Sequence, residues 1–236
     1  MTPEPERCRN WSNTIGMNRA IVQSTMGVTL VGGGPVTAAA LRRAMEHAPY
    51  LVAADGGADR LMHLGQQPRA VIGDLDSITP AARASLGARV HPIADQDSTD
   101  FDKALRSIEA PFVLGLGFSG ARLDHGLAVL NTLVRYPDRR CLVLGSSDVT
   151  FLAPPDLALT LPVGSRFSLF PLRAVRGHST GLRWPIDGLD FAPDGTIGTS
   201  NEVSQSRVTL SFEAPGMLII LPRRALPGVL AALSLR

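Results

Sequence analysis

The sequence predicts an α/β protein: a mostly parallel, doubly wound (Rossmann-like) N-terminal sheet domain followed by a smaller antiparallel β-sandwich domain. Three observations carry this. Between residues 27 and about 145, short apolar runs alternate with helix-patterned segments, as in successive βα units. Beyond about residue 150 the alternation gives way to short strand-like runs broken by Gly, Pro, Asp and Ser. The composition, 44% hydrophobic and 19% charged over 236 residues, is that of a folded chain with a sizeable core.

The elements follow in order. Residues 1–26 read as a disordered leader, with Met17 and Met26 as alternative starts. Strands are expected at Val28–Val31, Tyr50–Ala54, Ala70–Ile72, Arg89–Ile93, Phe112–Leu116 and Cys141–Leu144. Most are continuous apolar runs, the kind a parallel sheet covers on both faces. Helices are expected between them at Val36–Glu46, Ala58–His63, Pro80–Leu86, Thr99–Ile108 and Ala121–Arg135, with the short connections of a compact sheet. The second half offers strands at Phe167–Leu172, Val208–Phe212 and Met217–Leu221. Turn signals stand at Asp187-Gly188 and Pro193-Asp194-Gly195, and one helix is expected near Val229–Leu233. Pro154 and Pro155 stiffen the link near Leu152 to Asp156, which divides the chain into 27–152 and 153–236.

Charge and cysteine usage exclude several classes. A net charge of +2 provides no general field toward nucleic acid or an anionic membrane, so neither is an expected partner. Two cysteines, Cys8 and Cys141, make no disulfide framework, and the chain reads as cytoplasmic. No apolar run reaches the roughly 18 to 20 residues of a membrane span. Gly-Lys-Ser/Thr and Gly-x-Ser-x-Gly elements are absent, and so are Cys/His metal clusters, which argues against Walker-type, serine-hydrolase and zinc chemistry.

The distribution of charge is more informative than its sum. The chain has 22 Arg and a single Lys, Lys103, and nine of its 15 Asp fall between Asp55 and Asp124. Asp74 and Asp76, in Gly73-Asp74-Leu75-Asp76-Ser77, follow an expected strand; on extended backbone, positions i and i+2 point to one side. Two carboxylates 4 Å apart repel by about 1 kcal/mol in water and roughly 4 at an effective dielectric of 20, so the pair suggests a hard cation such as Mg²⁺. A polar turn with Asp76 or Ser77 as helix cap explains them equally simply. Asp95-Gln96-Asp97-Ser98-Thr99-Asp100-Phe101-Asp102-Lys103 is the second acidic loop. Thr99 with Asp102 fits a loose capping box, which accounts for one or two of its four acids. Lys103 either pairs with Asp100 on the helix surface or meets a phosphate.

Two Gly-rich turns, Gly32-Gly33-Gly34-Pro35 and Asp55-Gly56-Gly57-Ala58, permit close backbone approach to a ligand. Gly115, Gly117 and Gly120 form a dinucleotide-type G-x-G-x-x-G, but late in the domain and without an acid at the usual distance. Arg122 and Asp124 open the next helix, as a phosphate fork with an added carboxylate or as a surface pair.

In order and spacing, Gly33-Gly34, Asp55-Gly56-Gly57-Ala58, Gly73-Asp74-Leu75-Asp76-Ser77, Asp95-Gln96-Asp97-Ser98-Thr99-Asp100 with Lys103, and Arg122-Leu123-Asp124-His125 resemble the thiamine pyrophosphokinase (thiamine diphosphokinase) family. Gly181-Leu182-Arg183-Trp184 and Thr199-Ser200-Asn201 look like that family's thiamine-binding β domain. The resemblance covers about residues 27 to 222. It implies transfer of an intact diphosphate from ATP to the hydroxyl of thiamine, giving thiamine diphosphate and AMP. It also implies a homodimer with thiamine in a cleft between subunits, an ATP/Mg-binding α/β domain and a thiamine-binding β-sandwich. Carried over residue by residue, Asp74, Asp76 and Asp100 would hold Mg²⁺ on the ATP phosphates, supported by Asp124, with Asp100 also a candidate base. Arg122 and Lys103 would neutralise phosphate. Gly33, Gly34, Asp55, Gly56, Gly57, Gln96, Asp97 and Thr99 would line the nucleotide site; Ser200 and Asn201 would face thiamine, with Trp184 near its ring. Leu75, where Phe is common, and Phe118-Ser119-Gly120-Ala121 before Arg122 depart from the pattern in packing and loop shape more than in charge. A non-catalytic thiamine- or nucleotide-binding protein and a dinucleotide-dependent oxidoreductase are the competing readings.

Overall fold

The computed structural model describes residues 20–120 and 122–235; Cys8, Met17 and most of the expected leader lie outside them, as does Ala121 at the expected start of a helix. In chain order the elements are β1 (Val22–Gln23), β2 (Val28–Val31), α1 (Ala38–His47), β3 (Tyr50–Ala54), α2 (Gly57–His63), β4 (Ala70–Gly73), α3 (Pro80–Leu86), β5 (Val90–Pro92), α4 (Asp100–Arg106) and β6 (Ile108–Glu109). There follow β7 (Val113–Leu116), α5 (Leu123–Arg135), β8 (Cys141–Leu144), β9 (Asp148–Leu152), β10 (Asp156–Thr160), β11 (Arg166–Pro171) and β12 (Gly177–Thr180). β13 (Gly198–Glu202), β14 (Arg207–Phe212), β15 (Met217–Pro222) and α6 (Leu226–Ala232) complete the chain.

The fold is α/β as predicted, but the two halves share one sheet. Ten strands run in the order β13-β11-β15-β9-β8-β7-β2-β3-β4-β5. Every pairing from β8 to β5 is parallel, and every pairing from β8 to β13 is antiparallel. The hairpin that joins β8 to β9 therefore carries the sheet across residues 148–152 without a break. A separate antiparallel sheet, β10-β14-β12, packs over the antiparallel half. Phe151, Phe167, Leu169, Met217 and Ile219 of the large sheet share one core with Leu157, Leu159, Val208, Leu210 and Phe212 of the small one, which makes the β-sandwich. Among the described residues no helix is long and apolar enough to cross a membrane.

Local chemistry explains the element ends. β2, β4, β7 and β8 are buried throughout, as parallel strands covered on both faces are, whereas β10 alternates exposed and buried positions. Thr37, Thr79 and Thr99 cap α1, α3 and α4, their hydroxyls accepting from the N–H of Ala40, Ala82 and Asp102.

Three expectations need correction. Val22 and Gln23, assigned to the leader, form β1 parallel to β6, and Val22 is buried. The helix expected to run to Ile108 ends at Arg106, because Ile108 and Glu109 supply β1's partner strand. β9, β10, β12 and β13 carry too few consecutive apolar residues to stand out as strands; pairing with β15, β14 and β11 defines them, with alternate burial in β9, β10 and β12.

Candidate functional site

The sheet order reverses at β2, with β3, β4 and β5 to one side and β7 and β8 to the other, which opens a crevice at the carboxyl ends of the parallel strands. The loops after β2, β3, β4, β5 and β7 all emerge on this edge. Those after β2 and β7 are tied by the Gly34 N–H, which donates to the Gly117 carbonyl at 3.0 Å.

Asp55 follows β3, and Asp74 and Asp76 follow β4; one carboxylate oxygen of each lies within 4.8 Å of the others. The extended geometry expected of Asp74 and Asp76 is not what joins them. β4 ends at Gly73, and Leu75 takes the left-handed conformation at φ 67° with its side chain buried, folding the two carboxylates toward each other. Packing of Leu75 among Val31, Ala53 and Ile78 holds that unfavourable backbone in place. Asp55 is also left-handed, at φ 42°. Gly73 lets the site close, since a Cβ there would stand 2.9 Å from both the Asp100 Oδ1 and the Asp55 Cβ.

The site contains one ammonium. Lys103, 1% exposed, donates from Nζ to Asp74 Oδ2 at 2.6 Å and to Asp100 Oδ1 at 3.4 Å. Asp100 Oδ1 also accepts from the Asp74 N–H at 3.3 Å. Of the two alternatives for Lys103 on sequence grounds, the pairing with Asp100 is present, but from a buried position and chiefly with Asp74. Hydrogen bonding from Lys103 holds the Asp74 carboxyl below its ordinary range. Burial alone would lower the Lys103 pKa; its bonds to Asp74 and the charge of Asp100 more than offset this and raise it. Asp55 goes the other way: burial, then the charge of Asp100, push it up against the opposing Ser77 hydrogen bond.

Asp55 Oδ2 accepts from the Ser77 N–H at 3.1 Å, whereas its Oδ1 is buried and has no hydrogen-bond partner. A buried carboxylate oxygen left without a donor is costly. Three converging carboxylates, one with an orphaned oxygen, are the all-oxygen donor set that suits Mg²⁺. Among the described residues, the clustered carboxylates are Asp55, Asp74 and Asp76. Asp100, expected as the third ligand, is turned to Lys103, and Asp55, expected among the nucleotide-lining residues, joins the cluster instead.

The second acidic loop divides between structure and site. Asp95 accepts from the Asp97 N–H, the Ser98 hydroxyl and Arg106, at 2.8, 2.7 and 2.8 Å. Asp102 is buried against α5, so its carboxylate does not return to Thr99 and the capping box is only half made. Gln96 and Asp97 are exposed at the loop tip. The Asp95 carboxyl is held far below the usual range, first by Ser98 and then by the Asp97 N–H and Arg106. Stabilisation from a depressed carboxyl is complete above its unfolded-state pKa of about 4 and is lost as pH falls toward the folded value. Asp95→Asn is therefore expected to flatten the acid limb of a melting-temperature profile below about pH 4 and to cost about 1 kcal/mol at neutral pH; an unchanged acid limb would contradict this.

The other expected residues fall in two places. Gly33 is exposed on the crevice edge, Gly56 lies against Ser77, and Gly57 opens α2 beside the Val31 carbonyl. Arg122 and Asp124 pair with each other at the exposed start of α5, Nη2 to Oδ2 2.5 Å, and each favours the other's charged form. In the β-sandwich, Trp184 is 53% exposed, with the Arg183 guanidinium 4.9 Å from its ring centre. Ser200, at φ 61°, is exposed, and its N–H donates to Ser168 Oγ. Asn201, expected to face a ligand, is buried. Its Oδ1 accepts from the N–H of Trp184 and Glu202, and its Nδ2 donates to the Trp184 carbonyl at 2.7 Å, so it holds Trp184 in place.

Several contributors were not among the expected site residues, and Ser77 was expected only as a helix cap. Ser77 ties Asp55 to Asp76, its hydroxyl donating to Asp76 Oδ1 at 2.8 Å, and Asp59 anchors the same loop through Thr79. Phe118 disposes of the dinucleotide reading. Its ring packs on Phe101 at 4.7 Å and covers Gly32 and Gly115, where a Cβ would meet it at 2.6 and 3.3 Å. Of the glycines of that motif, Gly115 makes room for this aromatic side chain, and Gly117 lets the loop lie close against Gly32 and Val36.

Comparison with known proteins identifies the family. Residues 41–144 match the family model "Thiamin pyrophosphokinase, catalytic domain" and residues 159–217 match "Thiamin pyrophosphokinase, vitamin B1 binding domain". The chain is 28% identical over 204 residues to thiamine pyrophosphokinase 1 of Oryza sativa subsp. japonica, covering 72% of this chain and 77% of the relative. It is 26% identical over 208 residues to the thiamine pyrophosphokinase of Bacillus subtilis, covering 82% and 97%. The crystal structure of thiamin pyrophosphokinase from Geobacillus thermodenitrificans superposes with a TM-score of 0.69 at 25% identity, over 84% of this chain and 97% of the other. With matches to both domain models that together span well over half of its length, the chain belongs to the thiamine pyrophosphokinase family.

Proposed function

We propose that the protein is an Mg²⁺-dependent thiamine pyrophosphokinase, which transfers the diphosphate of ATP to the hydroxyl of thiamine and releases AMP. The observation that carries this reading is the convergence of Asp55, Asp74 and Asp76 with an orphaned Asp55 Oδ1. These three residues would hold the Mg²⁺, which when bound neutralises phosphate charge and orients the polyphosphate. Diphosphate transfer needs positioning and charge neutralisation more than covalent work, and the chain's own residues are disposed for both. Lys103 keeps Asp74 ionised, Ser77 holds Asp55 and Asp76 in place, and the Gly33-Gly34 turn leaves backbone exposed along the crevice for the nucleotide. Asp100 would accept the hydroxyl proton of thiamine, a role supported by its position beside Lys103 and next to the cluster. Arg122 would leave Asp124 for phosphate, since both are exposed and their pairing is open to water.

Thiamine is assigned to the β-sandwich edge that carries Trp184 and Ser200, with the ring of Trp184 as its apolar wall. Leu123 and Leu127, 80% and 57% exposed one turn apart on α5, support a homodimer in which a second copy covers this end of the crevice. A cytoplasmic setting agrees with the free thiol of Cys141. Incubation with thiamine, ATP and Mg²⁺ is expected to release AMP and thiamine diphosphate in equal amounts; stoichiometric ADP, or no turnover with any of several divalent metals, overturns the reading. Asn201→Ala removes the bonds that fix Trp184 and is expected to raise KM for thiamine about tenfold while kcat falls less than threefold, the signature of lost ground-state binding. An unchanged KM would remove Trp184 from the thiamine site.

A further inference from the structure

We propose that Asp102 is a positioning residue for this reaction: its buried carboxylate, gripped by α5, sets α4 so that Lys103 and Asp100 meet the acidic site. For its kinetic consequences the inference rests on the proposed reaction; the geometry stands apart from it.

α4 has seven residues, about two turns, and a helix of that length has no stability of its own. Its setting comes from what it touches. Phe101, Ala104 and Leu105 are buried against the sheet, but apolar contact is non-directional and leaves rotation about the helix axis weakly defined. Asp102 supplies direction. It is 2% exposed, its Oδ2 accepts from Arg135 Nη1 at 2.9 Å, its Oδ1 accepts from the Tyr136 hydroxyl at 3.1 Å, and Arg106 Nη1 lies 3.9 Å away. Arg135 closes α5, and Tyr136 is the next residue. Lys103, one position on and about 100° around the helix, points to a different side and reaches Asp74 on the loop after β4. Two consecutive charged side chains thus clamp α4 between α5 and the site, and neither Asp102 oxygen touches the site itself. A buried carboxylate is a poor way to gain stability compared with an apolar residue of similar volume, so direction rather than stability is what this one contributes.

The composition of the chain provides a probe. Lys103 is the sole lysine, so an acetylating reagent read by peptide mass spectrometry reports on one side-chain amine, while alkylation of the buried Cys141 thiol reports global opening. In the full-length protein, well below its Tm, Asp102→Asn is expected to raise the acetylation rate of Lys103 at least tenfold with Cys141 unchanged. Tyr136→Phe and Arg135→Gln are expected to raise it less. Arg176→Gln, which breaks an exposed pair in the β-sandwich, is expected to leave it as it was. In steady state, Asp102→Asn should lower kcat about tenfold with KM for thiamine unchanged within twofold. Lys103 labelling unchanged within twofold overturns the proposal, and so does labelling that rises only in step with Cys141, the mark of a merely structural role. If Asp102→Asn does not fold, Tyr136→Phe decides by the same criteria. Should the unsubstituted protein make no AMP from thiamine, the proposed reaction fails while the labelling still decides the geometry.

Discussion

Asp76→Asn is expected to lower kcat by at least roughly 10²-fold while leaving the metal-free Tm equal to or above that of the unsubstituted protein. Asp76 is exposed, and its carboxylate accepts one side-chain hydrogen bond, from Ser77, which an amide oxygen can still accept. What the substitution removes is one negative charge from a cluster with Asp55 and Asp74, so repulsion in the metal-free state falls. The same substitution at Asp74 behaves differently. Asp74 is the closer partner of Lys103, and Asp74→Asn leaves a buried ammonium with Asp100 alone at 3.4 Å. The two variants should therefore lose activity alike and separate in stability, Asp74→Asn melting lower. Kinetics and thermal melts with and without Mg²⁺ read both effects. Full activity in Asp76→Asn, or a large fall in its metal-free Tm, would show the cluster to be structural.

Lys103→Met is expected to cost both activity and stability. Removing one partner of a buried ion pair leaves its counter-charge uncompensated, at about 3 to 5 kcal/mol for a fully buried pair; Asp74 is 20% exposed, which brings the expectation to about 2 kcal/mol. Asp55, Asp74, Asp76 and Asp100 then face one another with no ammonium among them. Added Mg²⁺ should consequently raise the Tm of Lys103→Met more than that of the unsubstituted protein, because a bound cation takes over part of the lost compensation. Activity is expected to fall at least roughly 10²-fold. Equal Mg²⁺-induced shifts in the two proteins would separate Lys103 from the metal cluster.

Much of this site was legible because its chemistry is unusual in one dimension. Acids crowded into loops that follow apolar strands, with one ammonium among them, mark a charged edge before any fold is known, and the parallel sheet places those loops together. The partnership within the cluster was not legible. Whether Asp55 or Asp100 stands beside Asp74 and Asp76 depends on the left-handed turns at Asp55 and Leu75, and on the close approach that Gly73 permits. Asp102 looked like half of a capping box because local spacing cannot show that Arg135 and Tyr136, over thirty residues on, lie across from it. Asn201 looked like a ligand contact because a polar side chain in a binding motif reads the same whether it meets a substrate or the backbone of Trp184.

By itself the sequence determined the α/β class, the six core strands of the parallel half, the acidic edge and the family, since each rests on residue type and local period, which the linear order contains. Only the tertiary structure decided that the parallel and antiparallel halves share one ten-stranded sheet, which carboxylates converge, and which charges serve packing. Those outcomes depend on contacts between residues far apart in the chain, where the backbone conformation of a single residue, such as Leu75, redirects two side chains at once.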